Sequence, residues 1–166
     1  HSINMSEDCS YYMDYHASSD VPVVVSLFQT KGNQRIKVME DNAKLTEVLK
    51  SYAFVDKEFF TIPNGKGDQL NAYFLKPNDF DNTKEYPLLI FQYSGPGSQS
   101  VAQRWSGGRS AWHQLLVQKG YIVAVVDTRG TGFRGEKYKK QTYGQMGELE
   151  VEDHIAAAKW LGALDY

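Results

Sequence analysis

Pro87-Leu-Leu-Ile-Phe-Gln-Tyr-Ser-Gly-Pro-Gly-Ser-Gln99 is the stretch whose reading decides the fold. Leu88 to Tyr93 is a continuous apolar run of strand length, the pattern of a strand buried on both faces and therefore of a parallel sheet. Gly95-Pro96-Gly97 ends it in a tight turn. Downstream, Trp112, Leu115 and Leu116 share one face of a helix that Ser110 is placed to cap and Gly120 to end. Tyr121 to Val126 is a second buried strand, closed by Asp127. Strand, helix and strand in that order form a crossover whose two strands run parallel. The fold class predicted here is α/β, a mostly parallel sheet with flanking helices.

Working outward, Phe59 to Ile62 and Leu70 to Leu75 flank Pro63-Asn-Gly-Lys-Gly67, and Asn64-Gly65 is a strong hairpin-turn signal. Asn42 can cap a short helix carrying Leu45, Val48, Leu49 and Tyr52 on one face, a connector between two regions. The first 40 residues read as a three-strand meander: Ser10 to His16, Val21 to Gln29, and Arg35 to Met39 with Ile36 and Val38 on one face. Such a meander is too small to bury its own faces. At the other end a helix is expected from about Glu148 to Gly162. Glu148, Glu150, Glu152 and Asp153 crowd its first turns, where the helix dipole favours them, and Val151, Ile155 and Ala158 form its inner stripe.

Composition narrows the function classes. The 166 residues are enough for a real core. A net charge of −2, without any basic tract, argues against a nucleic-acid partner. No apolar run approaches the roughly 18 residues of a membrane span. Cys9 is the single cysteine, so no internal disulfide can form.

Asp127-Thr-Arg-Gly-Thr-Gly-Phe-Arg-Gly135 contains a GxGxxG after a strand: Gly130, Gly132 and Gly135. A dinucleotide site needs a helix to open directly on those glycines, and Glu136 to Thr142 shows no apolar periodicity. Glu150 has the offset of a ribose ligand but stands at a helix start. A nucleotide-binding Rossmann-like domain is the alternative; a glycine-rich loop turning back over the sheet is the simpler reading. Tyr93, at the carboxyl end of a strand, points toward the crevice where α/β sheets bind ligands, and its hydroxyl can donate to a developing alkoxide. It can also be an aromatic strand residue that only packs. His16, His113 and His154 lack zinc-ligand spacing, and His113 and His154 read as surface or internally satisfied helix residues. Glu150, Glu152 and Asp153 read as a solvated helix start. Arg129 and Arg134 can bind a substrate carboxylate or brace the loop. No metal or cofactor is called for.

Four collinear segments resemble the dipeptidyl peptidase IV group of the prolyl oligopeptidase family: Tyr86 to Gln99, Asp127-Thr-Arg-Gly-Thr-Gly132, Glu148-Leu-Glu-Val-Glu-Asp-His-Ile-Ala-Ala-Ala158 with its approach to the next strand, and Val38-Met-Glu-Asp-Asn42. The resemblance implies a β-propeller covering an α/β-hydrolase domain that uses a Ser-Asp-His triad to release X-Pro or X-Ala dipeptides from peptide N-termini. Residues 1–50 would be the end of the propeller plus a connecting helix, and residues 51–166 the N-terminal half of the catalytic domain. Tyr93 carries over as the side-chain donor of the oxyanion hole. The triad does not carry over, because no Gly-x-Ser-x-Gly occurs. The chain alone is therefore expected to be inactive, and its open edges to favour self-association or domain exchange. Gly97 stands where vertebrate members have Cys; with the lone Cys9 this suggests a bacterial member. The resemblance implies a periplasmic, cell-surface or secreted parent.

Overall fold

The computed structural model describes residues 2–166, apart from the side chains of Arg109 and Ser110. The chain divides into two compact units, residues up to 56 with 103–110, and residues 57–102 with 111–166.

The first unit is an antiparallel sheet of four strands in sequential order: β1 (Ser2–Met5), β2 (Tyr11–His16), β3 (Val24–Gln29) and β4 (Gln34–Glu40). The sequence reading found three of them. It missed β1, whose four residues are short but do alternate, with Ile3 and Met5 on one face. Asp8 holds the β1–β2 turn, accepting from Ser6 Oγ (2.8 Å) and from the Ser10 backbone (3.1 Å) and Oγ (2.7 Å). These bonds, the one from the Ser10 hydroxyl foremost, hold its pKa down at about 2. Tyr12 and Phe28 face each other across β2 and β3 and stack at 5.1 Å. Among the described residues only Pro22 and Ser26 are buried in this unit. A sheet with no core of its own is what one blade of a radial repeat looks like by itself. Helix α1 (Ala43–Lys50) follows, with no buried residue. Asn42 precedes it but does not cap it through its side chain. It adopts a left-handed backbone (φ 51°), and its amide donates to the Val23 carbonyl at 2.6 Å. Asp41 serves the helix instead, accepting from the Ala43 N–H at 2.9 Å.

The second unit carries the hydrophobic core. Its strands are β5 (Glu58–Pro63), β6 (Gln69–Leu75), β7 (Leu88–Phe91) and β8 (Ile122–Asp127), in the spatial order β5-β6-β8-β7. β5–β6 and β6–β8 pair antiparallel, and β7–β8 parallel, joined by α2 (Gly108–Gln118). The parallel crossover is thus present, set beside an antiparallel hairpin. β8 is buried at all six positions, as a central strand should be. β7 is not buried on both faces. It stops at Phe91, two residues before Tyr93, and lies at the edge of the described sheet with Leu88 exposed.

Strand alternation then builds the core. Leu70, Ala72 and Phe74 of β6 and Ile122, Ala124 and Val126 of β8 share one face. They cluster with Ala157 and Leu161 of α4 (Glu148–Leu161), and Phe60 stacks between Phe74 and Trp160. A one-turn helix, α3 (Glu136–Lys139), opens directly after Gly135, where the sequence reading placed none.

Both long helices of this unit turn a different face inward from the one their apolar periodicity indicated. On α4, Glu150, Asp153, Ala157 and Leu161 are buried, while Val151, Ile155 and Ala158 are exposed. On α2, His113, Gln114 and Val117 are buried, while Trp112 and Leu115 are exposed. The helix also begins two residues before Ser110, whose capping side chain lies outside the described residues. The acidic helix start is solvated only in part: Glu148 and Glu152 are exposed, whereas Glu150 is buried and accepts from the Gly147 N–H at 2.8 Å, and Asp153 is fully buried.

Candidate active site

The site is a loop held over the carboxyl ends of β7 and β8. Tyr93 stands on it, 64% exposed as a residue. An exposed phenol at this end of a mixed α/β sheet keeps its hydroxyl available to a ligand in the crevice. Ser98 closes the Gly95–Ser98 turn, its N–H (3.1 Å) and Oγ (2.7 Å) both donating to the Gly95 carbonyl. Gly95 and Gly97 hold positive φ (112° and 90°), which the turn requires and a side chain would strain.

The segment Asp127-Thr-Arg-Gly-Thr-Gly132 braces this loop, each of its distinctive residues by a different contact. Asp127, buried at the end of β8, accepts the Ser100 and Val101 backbone N–H groups, both at 2.9 Å. The Gly132 N–H donates to the Ser98 carbonyl at 2.8 Å, and a Cβ there would come within 3.4 Å of that oxygen. Gly130 (φ 86°) backs onto Thr142, whose side-chain atoms lie 2.5 Å from where a Cβ would stand. Thr142 thus fills the space behind Gly130 and the Ser98 carbonyl lies against Gly132, so these two glycines pack against the chain, while Gly135 faces open space.

Arg129 anchors the brace to α4 and to the β5–β6 turn. Its backbone N–H (2.7 Å) and Nε (2.9 Å) donate to Asp153, as does its terminal guanidinium nitrogen at 2.8 Å. That nitrogen also reaches Glu152 at 3.0 Å. The Asp153 bonds raise the Arg129 pKa above its ordinary value. Asn64 Nδ2 completes the cluster, donating to Asp153 at 3.1 Å, while its Oδ1 accepts from Lys66 and Asp68 and shapes the turn. Arg129 is therefore a brace and not a free carboxylate receptor. Arg134 is engaged as well, lying 4.0 Å over the Tyr138 ring and donating to the Gln69 carbonyl.

The histidines part company. His16 ends β2 in the first unit. His113 is buried and meets the Phe91 ring edge-on at 4.9 Å. His154 is half-buried with Nε2 3.3 Å from Ser94 Oγ, next to Tyr93 in the chain. Burial lowers its pKa, against an upward pull from Asp153 and Glu150. The sequence reading passed over Asp127, Asn64 and Ser94 as site-forming residues. The one signal available was a carboxylate ending an otherwise apolar strand.

Taken together, a coreless four-stranded sheet followed by a β5-β6-β8-β7 mixed sheet with its crossover defines a propeller blade joined to part of an α/β-hydrolase domain. Residues 109–166 match the prolyl oligopeptidase family. The chain superposes on the crystal structure of Porphyromonas gingivalis dipeptidyl peptidase 4 with a TM-score of 0.93 and 45% identity, covering 99% of this chain and 23% of that one. It is 34% identical over 161 residues to dipeptidyl peptidase 4 of Arthroderma otae, 96% of this chain and 21% of the relative. It is 37% identical over 135 residues to dipeptidyl aminopeptidase B of Saccharomyces cerevisiae, 77% of this chain and 16% of the relative. The chain is thus a dipeptidyl peptidase IV-like segment whose residues 109–166 carry the match to the prolyl oligopeptidase family. It spans about a fifth of the length of the curated relatives it matches.

Proposed function

We propose that this chain is part of a serine dipeptidyl peptidase, contributing the oxyanion-binding side of its active site through Tyr93. Residues 1–50 belong to the final propeller blade and its connecting helix, and residues 51–166 open the catalytic domain. In the whole enzyme a serine Oγ attacks the carbonyl carbon after the second residue of a peptide carrying Pro or Ala there. A histidine takes the serine proton, and the carbonyl oxygen becomes an oxyanion. The Tyr93 O–H donates to that oxyanion beside a backbone N–H next to the serine. Collapse expels the amine, which takes the histidine's proton, and water then hydrolyses the acyl-enzyme.

The observation carrying this reading is the exposed Tyr93 phenol on a braced loop at the carboxyl end of β7, in a chain that follows a dipeptidyl peptidase 4 along nearly its whole length. The test is Tyr93→Phe in the parent enzyme. Loss of one oxyanion donor lowers kcat about 10²–10³-fold with KM little changed. An unchanged kcat overturns the role given to Tyr93. The 166-residue chain alone lacks the nucleophile, so it does not turn over a Gly-Pro chromogenic amide, and measurable turnover refutes that. It also self-associates, because β7 offers an unpaired edge beside the exposed stripe of α4.

A further inference from the structure

We propose that Asp127 is a positioning residue for Tyr93, acting by fixing the far end of the loop on which the phenol stands. This rests on the oxyanion reading above. Gln92 to Gln99 form an eight-residue connection between two fixed points. At its start, Phe91 pairs with Val125 in the last rung of the β7–β8 ladder. At its end, the Ser100 and Val101 N–H groups converge on the Asp127 carboxylate, one on each oxygen. Val125 and Asp127 are two residues apart on the same strand, about 6.6 Å by strand rise. One rigid, fully buried strand therefore holds both feet of the loop, and Tyr93 sits between them.

The chemistry suits a carboxylate. Two backbone donors converging on one residue need an acceptor at each terminal atom, which Asp supplies and Asn does not, since its amide end is itself a donor. Charge-assisted bonds of this kind are shorter and stronger than neutral ones. The Gly132 N–H to Ser98 carbonyl bond is a second tether from the same segment. An oxyanion donor must stand about 2.7–3.1 Å from the developing charge, so a loop that swings by an ångström forfeits the interaction. The effect of Asp127 on the phenol passes through the backbone between residues 93 and 101.

The test is a double-mutant cycle in the parent enzyme with Asp127→Asn, Tyr93→Phe and the pair, using a dipeptidyl chromogenic amide. Rates are taken per folded molecule, with folding checked by thermal melting. Asp127→Asn is expected to lower kcat about 10- to 100-fold with KM within about two-fold. In the Tyr93→Phe background the same change should cost less than about three-fold, because the donor it positions is already gone. A structural role alone would instead reduce the folded fraction and leave kcat per folded molecule intact.

If Tyr93→Phe slows the enzyme but Asp127→Asn does not, or if the two losses multiply independently, this proposal fails while the oxyanion reading stands. If Tyr93→Phe leaves kcat unchanged, both fail. Should Asp127→Asn not fold, Asp127→Thr, whose β-branched side chain suits a strand and keeps one acceptor in place of two, goes through the same cycle, and the same dependence on Tyr93 is required.

Discussion

Replacing Asp153 by alanine tests the buried cluster beneath the brace. Asp153 is 0% exposed and accepts from the Arg129 backbone, Nε and terminal nitrogen at 2.7–2.9 Å, and from Asn64 at 3.1 Å. Removing it leaves a buried guanidinium with only the half-exposed Glu152 for a partner, and strands two further donors. Breaking one side of a buried ion pair costs about 3–5 kcal/mol. A unit of about 100 residues has roughly 5–15 kcal/mol of stability in total. The variant is therefore marginal. With a urea slope of about 1.5 kcal/mol/M, its midpoint should fall by about 2–3 M. The assay is equilibrium urea unfolding followed by circular dichroism. The decisive comparison is Arg129→Met with Asp153→Leu, which removes both charges and retains volume. It should recover most of the loss, because an apolar pair of similar size is often as stable as the ion pair. A loss below about 1 kcal/mol for Asp153→Ala refutes the reasoning, as does a double variant no better than the sum of its parts.

Three other outcomes follow from the same packing. Gly130→Ala meets Thr142 at 2.5 Å on a backbone with φ 86°; it should destabilise by about 2–4 kcal/mol, and Thr142→Ala should restore the part due to the clash, read by thermal melting. Because burial lowers the His154 pKa in the folded state, the unfolded chain binds that proton more readily. Stability is then flat above the ordinary value of 6.5 and declines as pH falls below it; His154→Gln should flatten that decline in urea titrations across the window. Val151→Lys with Ile155→Lys places charge on exposed α4 positions, so self-association should drop in sedimentation runs while the melting temperature holds.

The hairpin, the crossover, the last helix and the β strands from Tyr11 to Glu40 were legible because local signals set them: Asn64-Gly65, the apolar run closed by Asp127, and the 3.6-residue period. What was misread on α2 and α4 was direction. Periodicity locates an apolar stripe but does not say what covers it, and in this chain the stripes of Val151, Ile155 and Ala158, and of Trp112 and Leu115, face outward. The inward face of α4 was hidden because it carries Glu150 and Asp153, and charged residues read as solvent-facing until their partners are known. The partners of Asp153, Arg129 and Asn64, lie 24 and 89 residues away, beyond the reach of spacing arguments. β7 was read as central because its composition suits a strand with neighbours on both sides.

Since β8 both pairs with β7 and presents Asp127 to the loop, the sheet's alignment and the aim of the phenol are a single variable. Sliding β8 by one residue would turn the carboxylate to the opposite face while leaving nearly as many ladder bonds in place. A molecule misaligned in this way would look folded by its spectrum and yet have its donor out of reach, so circular dichroism alone is a poor witness that a variant of this strand is intact.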